Sequence, residues 1–91
     1  MPYLREAAAR SIHLHVLDRV DLSQNMARYY VLSIEATLFG NAALVREWGR
    51  IGTPGRRRCD LFDDCADAQV ALETWLSRKC KRGYVLRGGR V

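Results

Sequence analysis

Long apolar runs are missing from this sequence. No stretch of its 91 residues approaches the ~20 consecutive apolar residues that a helix needs to cross a bilayer. The opening residues, MPYLREAAARS, carry charge throughout and hold no apolar run of signal-peptide length. Cysteine is sparse and odd in number, so Cys59, Cys65 and Cys80 cannot all pair within one chain. Together these absences lead to the expectation of a soluble protein with free thiols in a reducing compartment, the cytoplasm, or the nucleoid if the source is prokaryotic.

The residue patterns of catalysis are missing too. No serine, cysteine or histidine arrangement pairs a nucleophile with a base. No glycine-rich strand-to-helix turn could cradle a nucleotide. His13 and His15 sit two apart without a third ligand at a recognisable spacing, and Cys59 and Cys65 have no second pair, so neither set reads as a zinc site. Asp60, Asp63, Asp64 and Asp67 crowd one stretch but lack the calcium-loop pattern, and helix capping explains them better. The expectation is a protein that is not an enzyme and holds no metal or cofactor.

What is present suits one small domain. Hydrophobic residues make up 48% of the chain, enough for a core. Lysine and arginine number 15 against 10 acidic residues, a formal charge of +5. Such a surplus favours a polyanionic partner through counterion release without naming one.

Apolar alternation predicts strands over 12–17, with Ile12, Leu14 and Val16 on one face, and over 29–36, with Tyr30, Leu32 and Ile34 on one face. Residues 18–25 read as a polar turn. A third strand is expected over 42–51, a turn at Gly52–Gly55, and a short fourth strand near 58–62. The period then changes: Ala68, Ala71, Leu72, Trp75 and Leu76 recur at helical spacing behind an Asp64 N-cap, and Gly83 stops the helix. Tyr84-Val85-Leu86 could form a short edge strand, and an edge strand gives a route to pairing two copies. The sum is an α+β fold, a small antiparallel sheet with one helix packed on a face. Residues 1–11 form a tail or short helix, 12–87 the domain, and 88–91 a C-terminal tail.

The segment Arg46 to Thr53 is the most informative. On a regular strand Arg46, Trp48 and Arg50 point to one side, so two guanidiniums flank an indole. An exposed indole could stack on a base or sugar while arginine holds phosphate. A buried one would be the core tryptophan of the sheet, with the arginines extending past it. Gly49, lacking a side chain, permits close approach of another surface. Arg56, Arg57 and Arg58 follow as the densest positive run, either a phosphate-gripping loop or a solvated turn. Cys80 stands among cations, either oxidation-prone or the last residue on the buried helix face.

The string Glu47-Trp48-Gly49-Arg50-Ile51-Gly52-Thr53 resembles the signature of the WGR domain family. The resemblance extends over roughly residues 26–87, through the strand Arg28-Tyr29-Tyr30-Val31-Leu32, the helix from Asp67-Ala68 onward and Lys79-Cys80-Lys81-Arg82-Gly83-Tyr84. WGR domains occur in DNA-dependent poly(ADP-ribose) polymerases and in short bacterial proteins, and this chain is similar to the latter. The resemblance implies an antiparallel sheet with a helix and contact with DNA ends or nicks. It places Trp48 on a terminal sugar, Arg50 at the interface, and Lys81, Arg82 and Tyr84 near the DNA. No polymerase catalytic domain or zinc finger is present in the sequence, so ADP-ribose transfer is not implied. The alternative is a protein partner docked on the same WGR surface, since in the polymerases the domain also touches its neighbours.

Overall fold

The computed structural model describes residues 10–90, and side chains over 13–88. Residues 1–9, most of the tail or short helix expected over 1–11, and residue 91 lie outside the described set, while residues 10 and 11 belong to a strand. Five strands form one antiparallel sheet: β1 (Arg10–Asp21), β2 (Met26–Ala36), β3 (Ala42–Arg50), β4 (Arg56–Phe62) and β5 (Val85–Arg90). Helix α1 (Cys65–Lys81) lies between β4 and β5 in sequence. The spatial order is β4-β3-β2-β1-β5. The chain after the helix therefore crosses the sheet and pairs with β1, and the α+β architecture expected from the periodicity is the one formed.

The strands run longer than their apolar patterns suggested. β1 begins at Arg10 and continues through Asp18–Asp21, where a polar turn was expected. The reversal itself is a short 3-10 turn, Leu22–Gln24, closed by Asp21 below and Asn25 in the left-handed region above. β5 likewise continues through Gly88 and Gly89 to Arg90. Both extensions look polar in sequence because their backbone bonds are supplied by neighbours rather than by a buried face.

β1 also departs from simple alternation. Ile12 pairs with Ile34, but His15, not Leu14, pairs with Leu32. One extra residue in β1 makes a bulge there, with His13 at φ 51°. A bulge of one residue reverses which side chains face the core. Among the described side chains of β1 the buried one is thus Leu17, rather than Leu14 or Val16.

One face of the sheet carries the hydrophobic core. Leu17, Tyr30, Leu32, Ile34, Ala42 and Leu44 meet Ala68 and Leu72 of the helix, with Ala71, Trp75 and Leu76 packed around them. The helix ends are closed as the sequence indicated. The Asp64 carboxylate accepts from the Asp67 N–H at 2.9 Å. At the other end Gly83, at φ +98°, donates to the Cys80 carbonyl and Tyr84 donates to the Lys79 carbonyl, the double bond of a glycine-terminated helix. That termination turns Tyr84 back under the helix, where it meets Tyr30 edge-on at 6.1 Å between ring centres.

The turn Gly52–Gly55 folds onto β3. The Tyr29 hydroxyl donates to the Pro54 carbonyl at 2.8 Å. Gly49 is the strand position that accommodates this turn: a Cβ there would sit 2.7 Å from the Gly55 Cα. The close approach expected at Gly49 is therefore made by the chain's own turn.

Gly55 adopts φ +68°, and a Cβ on it would collide with the Trp48 carbonyl and the Tyr29 hydroxyl. Gly40 has a similar φ of +88° with open space around it. Gly40→Ala should therefore cost about 1 kcal/mol from backbone strain alone, and Gly55→Ala about 2–4 kcal/mol because collision adds to strain. Urea denaturation of the two variants checks this; equal losses would mean that packing of the turn on β3 contributes nothing.

Candidate functional site

Three strand residues share the helix-covered face at one end of β3. In register, Arg46 lies beside Leu32, Trp48 beside Tyr30, and Arg50 beside Arg28. Because side chains alternate, Arg28, Tyr30, Arg46, Trp48 and Arg50 all stand on that one face. Their environments differ along the strand, since the helix covers only part of it.

Arg46 is buried under the helix. Its guanidinium lies 4.0 Å from the centre of the Trp75 ring and 5.5 Å from Trp48. It donates to the Tyr30 hydroxyl at 3.2 Å and pairs with Asp60 at 3.7 Å. All this attaches β2, β3 and β4 to the helix, so Arg46 is committed inside the fold rather than held out toward a phosphate. Arg50, four residues on, is exposed.

Trp48 is half-buried and joins both readings of its sequence context. One side of its ring stacks on Tyr30, with centres 5.9 Å apart and planes 17° from parallel. The ring also lines a recess of about 320 Å³ together with Arg28, Gly49, Arg50 and Tyr84. The tryptophan is thus a support of the core and a wall of an open site. A second recess of about 360 Å³, on the helix, is lined by Trp75, Arg78, Lys79, Lys81 and Arg82.

Lys79 belongs to the same cationic cluster. Its ammonium lies 4.4 Å from the centre of the Tyr30 ring and 5.6 Å from that of Tyr84. Desolvation holds its pKa below the usual lysine value of 10.5, and the charges of Arg82, Arg46 and Arg28 push it the same way. Among the described residues, Arg28, Arg50, Arg78, Lys79 and Arg82 make no ion pair. Positive charge is therefore concentrated here without a carboxylate to neutralise it, beside flat aromatic surfaces. Such an arrangement can take an anion and a stacked ring or sugar together.

The arginine triplet is part of strand β4, neither a loop nor a turn, and alternation divides it. Arg56 pairs with Trp48 and Arg58 with Arg46, on the helix face. Arg57 points to the opposite face, where it meets Glu35 and Glu47, each at 3.4 Å. Arg58 pairs with Asp60 at 3.3 Å. Among the described residues Arg56 alone of the three makes no ion pair, and it adds charge beside Trp48. Lys81 and Arg82 are exposed at the helix C-terminus, and Tyr84 is half-buried at the recess. Cys80 is exposed rather than on the buried helix face.

Arg28 and Lys79 were not picked out by the sequence reading, yet both signals were there. Arg28 has the parity of Tyr30 and Leu32. Lys79 continues the helical spacing of Ala68, Leu72 and Trp75, which places it on the inner face.

Comparison with known proteins now bears on this site. The family model described as WGR domain matches residues 13–90. A protein of Sinorhizobium fredii (strain NBRC 101917 / NGR234), described as uncharacterized protein y4dW, is 48% identical over 68 residues. The match covers 75% of this chain and 33% of that relative, so the chain corresponds to about a third of the relative's length. No helix among the described residues is long and apolar enough to cross a membrane.

The packing of Arg46 generates a test. Arg46→Ala removes a buried side chain that touches two indoles, leaves the Tyr30 hydroxyl without its donor and leaves Asp60, which is partly exposed, with Arg58 as its ion-pair partner. The expected loss is about 2–4 kcal/mol of folding stability, mostly from packing. Thermal and urea unfolding read it directly. A loss within a few tenths of a kcal/mol would show that the helix is held without this residue.

Proposed function

We propose a function from one premise: the chain belongs to the WGR domain family. It acts as a non-enzymatic nucleic-acid-binding module that contacts DNA at an end or nick. The observation that carries this reading is the recess of Arg28, Trp48, Gly49, Arg50 and Tyr84, flanked by cations that have no ion pair among the described residues. Trp48 presents its free surface to a terminal sugar or base, supported from behind by Tyr30. Arg50 and Arg28, facing each other across β2 and β3, hold the adjacent phosphate. Lys79, Lys81 and Arg82 extend the positive surface along the helix end, and Arg56 extends it toward the sheet edge. Arg46 acts through Trp48 and Trp75, as a positioning residue. Of the other arginines expected at the site, Arg57 and Arg58 are already paired and contribute least. The contacts are to backbone and terminus, so base sequence matters little.

Fluorescence anisotropy with labelled duplexes tests this. A 5′-phosphorylated end, a 5′-hydroxyl end and a hairpin-blocked end are compared at low and physiological salt. Affinity should fall steeply with salt, and the phosphorylated end should bind best. Trp48→Ala should weaken binding by about 1–3 kcal/mol through lost stacking. Because Trp48 also packs on Tyr30, the exposed Arg50→Gln is the companion variant; it should keep the fold, weaken binding and lower the salt slope by about one. Equal, weak binding of all three duplexes, unchanged in Arg50→Gln, defeats the reading and favours a protein partner on the same surface.

Lys79 supplies a pH test. Its pKa is lowered in the free fold, so below the ordinary lysine value its charge opposes folding, and that opposition fades as pH rises through the lowered value toward 10.5. An anion in the recess favours the charged form and reverses the sign. Binding should therefore weaken on the alkaline side before ordinary lysines titrate, and Lys79→Arg should remove that weakening. Identical alkaline profiles for wild type and Lys79→Arg would place Lys79 outside the interface.

A further inference from the structure

We propose that the free edge of β4 receives a second copy of this chain, β4 against β4 in antiparallel pairing centred on Cys59. In the order β4-β3-β2-β1-β5, β4 is an outer strand, with one row of backbone donors and acceptors unused by any other strand among the described residues. The helix packs mainly over β2 and β3 and leaves this edge open. Along it Cys59 is exposed, the Arg58 side chain is 64% exposed and Leu61 is 69% exposed.

Charge selects the partner and the register. Pairing about Cys59 places Arg58 across from Asp60 of the second copy, and by symmetry does so twice, so that the Arg58–Asp60 pair of each strand joins its counterpart in one four-charge network. Centring on Arg58 would instead set arginine against arginine, and centring on Asp60 would set aspartate against aspartate. Opposite charges directly across an antiparallel pair stabilise it, and like charges disfavour it. In the favoured register Arg57 faces Leu61 of the second copy, and its charge is already balanced by Glu35 and Glu47 of its own sheet. Arg56 faces the second copy's Phe62. The other outer strand, β5, reads Val-Leu-Arg-Gly-Gly-Arg and contains no acidic residue, so self-pairing there gains no such contact in any register.

The two-fold axis of this pairing stands perpendicular to the sheet. A single ten-stranded sheet results, with both helices, and both Trp48 recesses, on the same side. Arg56 and Arg58 of the two copies lie between the recesses. That two recesses would hold two nucleic-acid ends rests on the function proposed above; the pairing itself does not.

Sedimentation velocity in reducing buffer without nucleic acid is the test, so its outcome is separate from that of DNA binding. The weight-average mass should rise with concentration from 10.4 kDa toward twice that value. Arg58→Glu, which sets an acid against the second copy's Asp60, should abolish the rise, and Arg58→Lys should keep it. Circular dichroism shows whether Arg58→Glu remains folded. Independently of that variant, a protein retaining only Cys59 (Cys65→Ser, Cys80→Ser) should form a covalent dimer with a short bis-maleimide about tenfold faster than one retaining only Cys80, because pairing raises the local thiol concentration. A protein that stays monomeric at every concentration overturns the proposal. So does a dimer that survives in folded Arg58→Glu, or one that cross-links as fast through Cys80 as through Cys59.

Discussion

The guanidinium of Arg46 is the contact on which the rest of the structure depends. It lies beneath the helix, against the Trp75 ring, within hydrogen-bond distance of Tyr30 and paired with Asp60. A buried cation is costly unless it is paired and hydrogen-bonded. Here the fold supplies one partner from each of β2, β4 and α1. Removing any of them leaves the charge poorly compensated, so the residue enforces one arrangement of helix on sheet. Its guanidinium also lies 5.5 Å from the centre of the Trp48 ring, whose indole lines the open recess. Even so, the Nε of Arg46 is buried without a partner among the described residues, which leaves part of the desolvation cost in place.

That commitment shapes the distribution of charge. Among the described residues the ion pairs join Asp60, Glu35, Glu47 and Asp18 to Arg46, Arg57, Arg58 and Arg87. They lie along β4, the opposite sheet face and β5. At the end of β3 and the end of α1 the cations stand alone. A net charge of +5 is thus an unequal surface: arginines with structural roles are neutralised, and those beside Trp48 are not. Composition alone could not separate these two groups, because the separation is made by strand parity and by where the helix ends.

Much of the fold was legible because its signals are local. Parity over Tyr30, Leu32 and Ile34 gave β2 its core face, and the spacing of Ala68, Leu72 and Trp75 gave the helix. Asp64 and Gly83 marked its ends by capping chemistry. The β1 core residue was not legible, because a one-residue bulge leaves no compositional trace yet reverses the strand's faces. The site was legible in part. Trp48 and Arg50 stand where alternation placed them. Arg46 obeys the same alternation but is covered by the helix, and the extent of that cover is a tertiary property. Arg56, Arg57 and Arg58 read as one basic run only while their strand is unrecognised; once paired to β3 they belong to two faces. Lys79 was within reach of the helical period, but its contact with Tyr30 and Tyr84 depends on how the helix lies on the sheet.

The cationic cluster has an energetic consequence for the free protein. Arg28, Arg46, Lys79 and Arg82 lie close enough that their charges, together with burial, depress the Lys79 pKa. Like charges held this near raise the free energy of the folded state relative to an unfolded chain in which they separate. The aromatic faces of Tyr30, Tyr84 and Trp75 offset part of this through contact with the ammonium. A bound polyanion would offset the remainder, and a ligand that favours the folded state stabilises it in proportion to its affinity. The repulsion that weakens the free fold is therefore the same electrostatic free energy that would be released on binding. This explains how an open recess such as the one beside Trp48 could still bind a highly charged ligand: the protein has already met the cost of bringing its cations together during folding.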